Sequence, residues 1–294
     1  MTRSDLRYAV VTPVRNEASH LRRLAASLAA QTVAPSSWVI VDTGSTDKTI
    51  ALARSLADER PWVRLVRSQT GEAPQRGGPI VRAFEAGVAT LDGAADVVVK
   101  VDADVSFPTD YFERLLGAFA DDDRLGIASG SAQELDDGAW RTRYNTGAAV
   151  WGAARAYRRR CLADVRPLEA RMGWDGIDEL KAQLRGWRTG TLRDLPFRHH
   201  RAEGERDGSP WRAWAARGRA SHYMGYRPWY LLLRALHHAQ RERAALAMVW
   251  GYASAAARRA PVCADADVRA HLRGMQGVRN LRARRRDALG ASRG

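Results

Sequence analysis

Apolar residues follow two patterns along this chain: short near-continuous runs, and longer stretches where they recur every three or four positions. The runs Tyr8 to Thr12 (YAVVT), Trp38 to Val41 (WVIV), Val63 to Val66 and Ala95 to Val105 (ADVVVKVDADV) read as strands buried on both faces. Between them, Leu21, Leu24 and Leu28 place a helix over His20 to Ala30 with Ser19 as its N-cap. Ile50, Leu52 and Leu56 place a second helix after DTGSTDKT, and a third spans roughly Pro79 to Leu91. Strands alternating with helices of this length predict a parallel sheet with right-handed crossovers, an α/β nucleotide-binding type of unit.

The same reading continues with a helix over Tyr111 to Ala120 and a strand over Leu125 to Ala132. A long polar loop follows in QELDDGAWRTRYN, then a mixed stretch over Trp151 to Arg160. A short helix from Trp174 to Arg185 is stopped by Gly186, and an extended segment from Trp187 to Leu195 ends before FRHHR. From Ser209 the pattern is helical, punctuated by Pro228 and Pro261, and no internal repeat is visible.

Composition adds limits. With 294 residues, 45% hydrophobic and 27% charged, the chain is an ordinary globular one with ample core. Cys161 and Cys263 share no metal-ligand spacing and suggest no disulfide framework, which fits a reducing cytosol, and neither a signal peptide nor a membrane span is visible. The net charge of +14 is uneven: from Arg198 to the end there are 20 arginines against 7 acids, so nearly all of the excess lies there. Arginine suits phosphate, so this segment could meet an anionic acceptor, an anionic membrane surface or nucleic acid, while many of its arginines are simply solvated.

Chemistry concentrates at the strand ends. No G-x-G-x-x-G follows the first strand and no G-x-x-x-x-G-K-S/T occurs, so dinucleotide and P-loop readings lose their signature. Acids stand there instead: Glu17, Asp42, Asp102 and Asp104 fall at or just past strand ends, which a parallel sheet gathers on one edge. Asp-x-Asp alone also serves as a turn or helix cap.

With TPVRNE after the first strand, IVDTGSTDKT after the second, VKVDADV and, less cleanly, GWDGIDELKAQLRGW, the chain resembles the family 2 glycosyltransferases of the GT-A fold over about residues 7 to 200. The resemblance implies an α/β/α sandwich over 1–205, with a nucleotide-sugar half (1–106) and an acceptor half (107–205). A basic, aromatic-rich, mainly helical C-terminal region (206–294) follows. It also implies a nucleotide-diphosphate sugar as donor, a hydroxyl acceptor, and Mg²⁺ or Mn²⁺ as cofactor, with inversion. Thr12, Pro13, Arg15 and Glu17 would shape the nucleotide pocket, Asp42 would hydrogen-bond the base, and Arg76 would touch the nucleotide. Asp102 would reach ribose or metal, and Asp104 would ligate the metal.

The family's general base lies in an Asp-containing segment at a helix start, some eleven residues before a Gly-aromatic pair. Asp175 stands there relative to Gly186 and Trp187, although Trp174 replaces the usual preceding Glu; Asp178 and Glu179 are the alternatives. A C-terminal histidine completes such metal sites, here His199 or alternatively His200. In the C-terminal helices, Trp211, Trp214, Tyr223, Tyr226, Trp229, Tyr230 and Trp250 alternate with arginines, as core packing or as contact with a membrane or lipid-linked acceptor; nucleic acid is the weaker reading. Rival readings are a sugar nucleotidylyltransferase, whose first loop is normally glycine-rich, and a degenerate transferase domain in an arginine-rich membrane- or nucleic-acid-binding protein.

Overall fold

The structure, a computed structural model, describes residues 5–68, 77–143, 149–201 and 209–277. The N-terminal half alternates as expected: β1 (Tyr8–Val14), α1 (Ala18–Ala29), β2 (Ser37–Asp42), α2 (Thr49–Glu59), β3 (Val63–Arg67), α3 (Gly78–Ala89) and β4 (Val97–Val101). Thereafter come β5 (Val105–Ser106), α4 (Tyr111–Asp121), β6 (Leu125–Asp136), β7 (Ala139–Thr142), β8 (Ala154–Arg158), α5 (Arg159–Val165), α6 (Trp174–Leu184) and β9 (Arg188–His199). The strands form one sheet in the order β3-β2-β1-β4-β8-β6-β9-β5, with β7 paired to β6. Parallel pairing holds from β3 to β4, whereas β8 runs antiparallel to both β4 and β6.

Strand alternation divides the core. Tyr8, Val10 and Val14 face α1, α2 and α4 through Leu21, Leu24, Leu28, Leu56, Phe112 and Phe119; Val11, Val39 and Val41 face α3, α5 and α6 through Phe84, Leu162, Val165 and Trp174. The result is an α/β/α sandwich. Two local expectations are corrected. Ser19 lies inside α1, whose N-cap is Glu17, because the Glu17 carbonyl already accepts the first helical hydrogen bond from the Leu21 N–H at 2.8 Å. QELDDGAWRT is a hairpin, β6 running on to Asp136 and pairing with β7: its polar residues alternate on a largely exposed ribbon, which composition alone does not separate from a loop.

The C-terminal region is helical: α7 (Pro210–Met224), α8 (Pro228–Ala239), a 3-10 turn (Arg243–Leu246), α9 (Ala247–Ala257) and α10 (Ala266–Met275). It packs on the sandwich through one apolar cluster in which Ile177 and Leu180 of α6 meet Tyr223, Met224, Cys263, Val268 and Leu272. A second cluster joins α7, α8 and α9 to each other around Trp214, Leu231, Ala235 and Met248. Glycine sets the α7/α9 crossing: a Cβ at Gly218 would run into the Met248 carbonyl, and one at Gly251 into the Ala215 carbonyl. Gly218→Ala is therefore expected to destabilise the chain by about 1–3 kcal/mol through overpacking against backbone, read from urea unfolding. No described helix is long and apolar enough to cross a membrane.

Candidate active site

The C-terminal ends of β1, β2 and β4 deliver Glu17, Asp42, Asp102 and Asp104 to one edge of the sheet, where open α/β sheets bind ligands. Sheet register adds the rest. Glu134 on β6 pairs with His199 on β9, and His199 pairs with Val105, next to Asp104. Three strands remote in sequence thus bring a carboxylate, an imidazole and a second carboxylate into line. His199 Nε2 lies 3.5 Å from Asp104 Oδ1, and its Nδ1 lies 3.5 Å from Glu134 Oε1.

Arg201 closes the cluster. Its guanidinium donates to both Glu17 oxygens at 3.1 and 3.0 Å and stands 3.3 Å from Asp104 Oδ2. Glu17 is buried and also meets His20 Nδ1 at 2.9 Å. Burial works against ionisation of Asp104, yet the hydrogen bond and charge of His199, with the charge of Arg201, hold its carboxyl below the ordinary range. Burial likewise opposes protonation of His199, but Asp104 and Glu134 push its imidazole up to about 9, so it stands as a cation at neutral pH.

Asp102 sits differently. Lys100 Nζ donates to it at 2.5 Å and to the Gly152 carbonyl at 2.8 Å. Burial raises the Asp102 pKa against the pull of Lys100, and the charge of Asp104 adds to the rise. His200 turns away from Asp104: its Nε2 is 2.8 Å from Ser106 Oγ and its ring meets Trp140 edge-on. Burial, then the charges of Arg23, His20 and Arg198, push its pKa down to about 4.

The remaining pocket residues divide. Asp42 is 1% exposed, and its two oxygens accept the Gly44 and Ser45 N–H groups at 3.1 Å each, so it builds the turn that borders the edge. Thr12 is fully buried, and its hydroxyl accepts from Trp38 Nε1 at 2.9 Å, on the face of β1 that strand alternation turns into the core. Pro13 is half-buried and Arg15 exposed. Arg76 lies outside the described residues. Asp47 is a cap, accepting from Thr49 N at 2.9 Å and Ala18 N at 3.4 Å.

Asp175 lies in the first turn of α6, its side chain accepting from the Gly176 N–H at 3.1 Å. A Cβ on Gly152 would stand 3.5 Å from Asp175 Oδ2, so Asp175 borders the segment whose carbonyl Lys100 holds beside Asp102. The two alternatives are locked. Fully buried Arg155 on β8 donates to Asp178 at 2.6 Å, to Glu179 at 3.0 Å and to the Asp175 carbonyl at 2.7 Å. Tyr157 donates a short hydrogen bond to Asp178, and the Val150 N–H donates to Glu179 at 2.9 Å. Burial pushes Asp178 to about 6 and Glu179 to about 8 against the pull of Arg155. Both carboxylates therefore anchor α6 to the sheet, and of the three acids on this helix Asp175 has the freer side chain.

Among the described residues, no three His, Cys, Asp or Glu side chains are gathered closely enough to cage a metal ion. A hard cation held together with a diphosphate needs only one or two protein carboxylates. Asp104 supplies an ionised one, and His199 Nε2, 3.5 Å from Asp104 Oδ1, is the imidazole nitrogen placed to join it. The donor set fits such an ion, on condition that His199 gives up its proton.

Residues 9–171 match the family model described as glycosyl transferase family 2. Over 110 residues the chain is 37% identical to the succinoglycan biosynthesis protein ExoA of Rhizobium meliloti (strain 1021); the match covers 36% of this chain and 31% of that protein. The fold is similar to that of the mannosyltransferase PcManGT from Pyrobaculum calidifontis in complex with GDP-Man and Mn²⁺, at 19% identity and a TM-score of 0.58 over 86% of this chain and 78% of that one. It is also similar to GalNAc-T7 with UDP, GalNAc and Mn²⁺, at 15% identity and a TM-score of 0.59 over 82% and 54% of the two chains. A third similar structure is S. aureus TarS 1-349 in complex with UDP-GlcNAc, at 18% identity and a TM-score of 0.52 over 74% and 66%.

Proposed function

The chain belongs to glycosyl transferase family 2, and from that membership we propose that it moves one sugar from a nucleotide-diphosphate sugar to a hydroxyl acceptor, with inversion and with the help of a divalent cation. The observation that carries this reading is the meeting of Asp104, His199 and Arg201 beside Glu17 at the sheet edge, with Asp175 on the adjoining helix.

Asp104 and His199 would hold Mg²⁺ or Mn²⁺, with Asp102 next to them. When bound, the cation neutralises charge on the departing diphosphate. Arg201 offers a guanidinium fork, now paired with Glu17 and Asp104, to the same anion. Lys100 fixes Asp102 and the Gly152 segment, so the floor of the pocket is set before donor arrives. Asp175 takes the proton of the acceptor hydroxyl as it attacks the anomeric carbon, in a single displacement. The carboxylate ends the step protonated and the nucleoside diphosphate leaves.

Two of the similar structures hold GDP-Man and UDP-GlcNAc, so the test begins with donors of both nucleotides. In a thermal-shift screen, the true donor with Mn²⁺ is expected to raise Tm by mass action, about 2.7 kcal/mol of stabilisation at one hundred times Kd. Asp104→Ala is expected to remove the Mn²⁺-dependent part of that shift together with turnover. Full turnover of the parent chain in the presence of a chelator would overturn the metal-dependent mechanism.

A further inference from the structure

Helix α8 is apolar on two faces. Leu231 and Ala235 are buried in the cluster shared with α7 and α9. On the opposite side Trp229, Leu232, Leu233 and Leu236 recur at helical spacing and are 36, 47, 49 and 50% exposed. A lone exposed leucine needs no explanation, but a stripe of this kind on one helix does. The same helical unit exposes Trp211, Leu246 and Trp250, which line a cleft of about 580 Å³ with Arg212 and Arg219.

Charge identifies the occupant. Between Pro210 and Ala257 the chain carries seven arginines and a single acid, Glu242, and residues 278–294 add six arginines against Asp287 alone. A second copy laid stripe to stripe would bring the arginine-rich helices of Pro210 to Ala257 together, which repulsion opposes. A negatively charged lipid surface satisfies both features: indole and leucine side chains enter the headgroup and acyl boundary while guanidinium groups reach lipid phosphates. The twelve residues of α8 are too few to span a bilayer, so the helix would lie in the interface.

We propose that the outer face of α8, formed by Trp229, Leu232, Leu233 and Leu236, docks this protein in the headgroup layer of an anionic bilayer. The consequence reaches the candidate active site. Met224 at the end of α7 packs against Gly173 and Gly176, which flank Trp174 and Asp175 at the start of α6, so docking fixes how the Asp175 edge is presented to the lipid plane. The docking itself does not depend on the transferase reading.

The test uses the full chain and vesicles of phosphatidylcholine with or without about 30 mol% phosphatidylglycerol. The chain is expected to sediment with the anionic vesicles at about 0.1 M salt, to be released by higher salt, and to ignore the zwitterionic ones. Leu232→Gln with Leu236→Gln, both at exposed positions, is expected to lower partitioning about tenfold while leaving Tm and donor binding unchanged. Cys161 and Cys263 are buried, so a polarity-sensitive fluorophore on Leu233→Cys reports the stripe alone: its emission should brighten and shift to the blue with anionic vesicles only. Partitioning equal to that of the parent in the double variant would overturn the proposal. So would a fluorophore already in an apolar setting without vesicles; sedimentation velocity would then tell whether a second copy or the chain itself covers the face.

Discussion

Replacing Asp175 with asparagine is expected to slow sugar transfer by about 10²–10⁴-fold while leaving donor affinity unchanged. Asparagine keeps the size of the side chain and an oxygen for the Gly176 N–H, so the first turn of α6 stays as it is. The Arg155 bond to residue 175 goes to the backbone carbonyl and is untouched. What is lost is a group able to take the acceptor proton. Initial rates with donor and acceptor varied separately, beside calorimetric donor binding, check this: kcat should fall and donor Kd should hold. A collapse of donor affinity would mean that Asp175 touches the donor and that the proton goes elsewhere.

The second large effect is expected at Arg155. Arg155→Met removes a fully buried guanidinium that holds Asp178, Glu179, the Val150 carbonyl and the Asp175 carbonyl. Of the two acids it leaves behind, Asp178 is buried and Glu179 mostly so, and breaking one side of such a network costs about 3–5 kcal/mol. The expected fall in Tm is on the order of 10 °C. Urea unfolding of the variant should show a lower midpoint with an unchanged slope. An unfolding free energy within about 0.5 kcal/mol of the parent would show that α6 is held by its apolar contacts alone. Paired with the Asp175 variant, this separates the residue proposed to do chemistry from the one that positions it: the first should change rate without stability, the second stability first.

A large share of the architecture was legible in the chain. VVVKV between turns is a strand buried on both faces wherever it folds, and Leu21, Leu24 and Leu28 can share a buried face only on a helix. Acid at the ends of such strands converges on one edge by the geometry of a parallel sheet, so Glu17, Asp42, Asp102 and Asp104 group together from the sequence alone. The family resemblance implies their roles and names His199, with His200 as the alternative, for the metal; only the structure separates the two, by pairing His199 with Glu134 and Val105.

What the chain by itself determined, then, is the order of elements, the parallel half-sheet, the acid edge and the helical, arginine-rich end, because these depend on local period and on residue type. Tertiary structure alone decided which groups are neutralised and which are free. Glu134, Arg201 and Arg155 carry no motif, and Lys100 stands in VKVDADV without its role being readable there; each matters through a register or a burial that joins distant strands, as His199 reaches Glu134 and Asp104 only when β9 lies between β6 and β5. The same holds for Asp178 and Glu179, which stand next to Asp175 in a motif-like helix start but whose carboxyl groups, unlike that of Asp175, are held by the Arg155 guanidinium. It holds too for WYLLLRAL, apolar nearly all round, where packing on α7 and α9 covers Leu231 and Ala235 and leaves Trp229, Leu232, Leu233 and Leu236 facing outward. A local pattern specifies which residues can be buried, and only the placement of distant segments specifies which of them are.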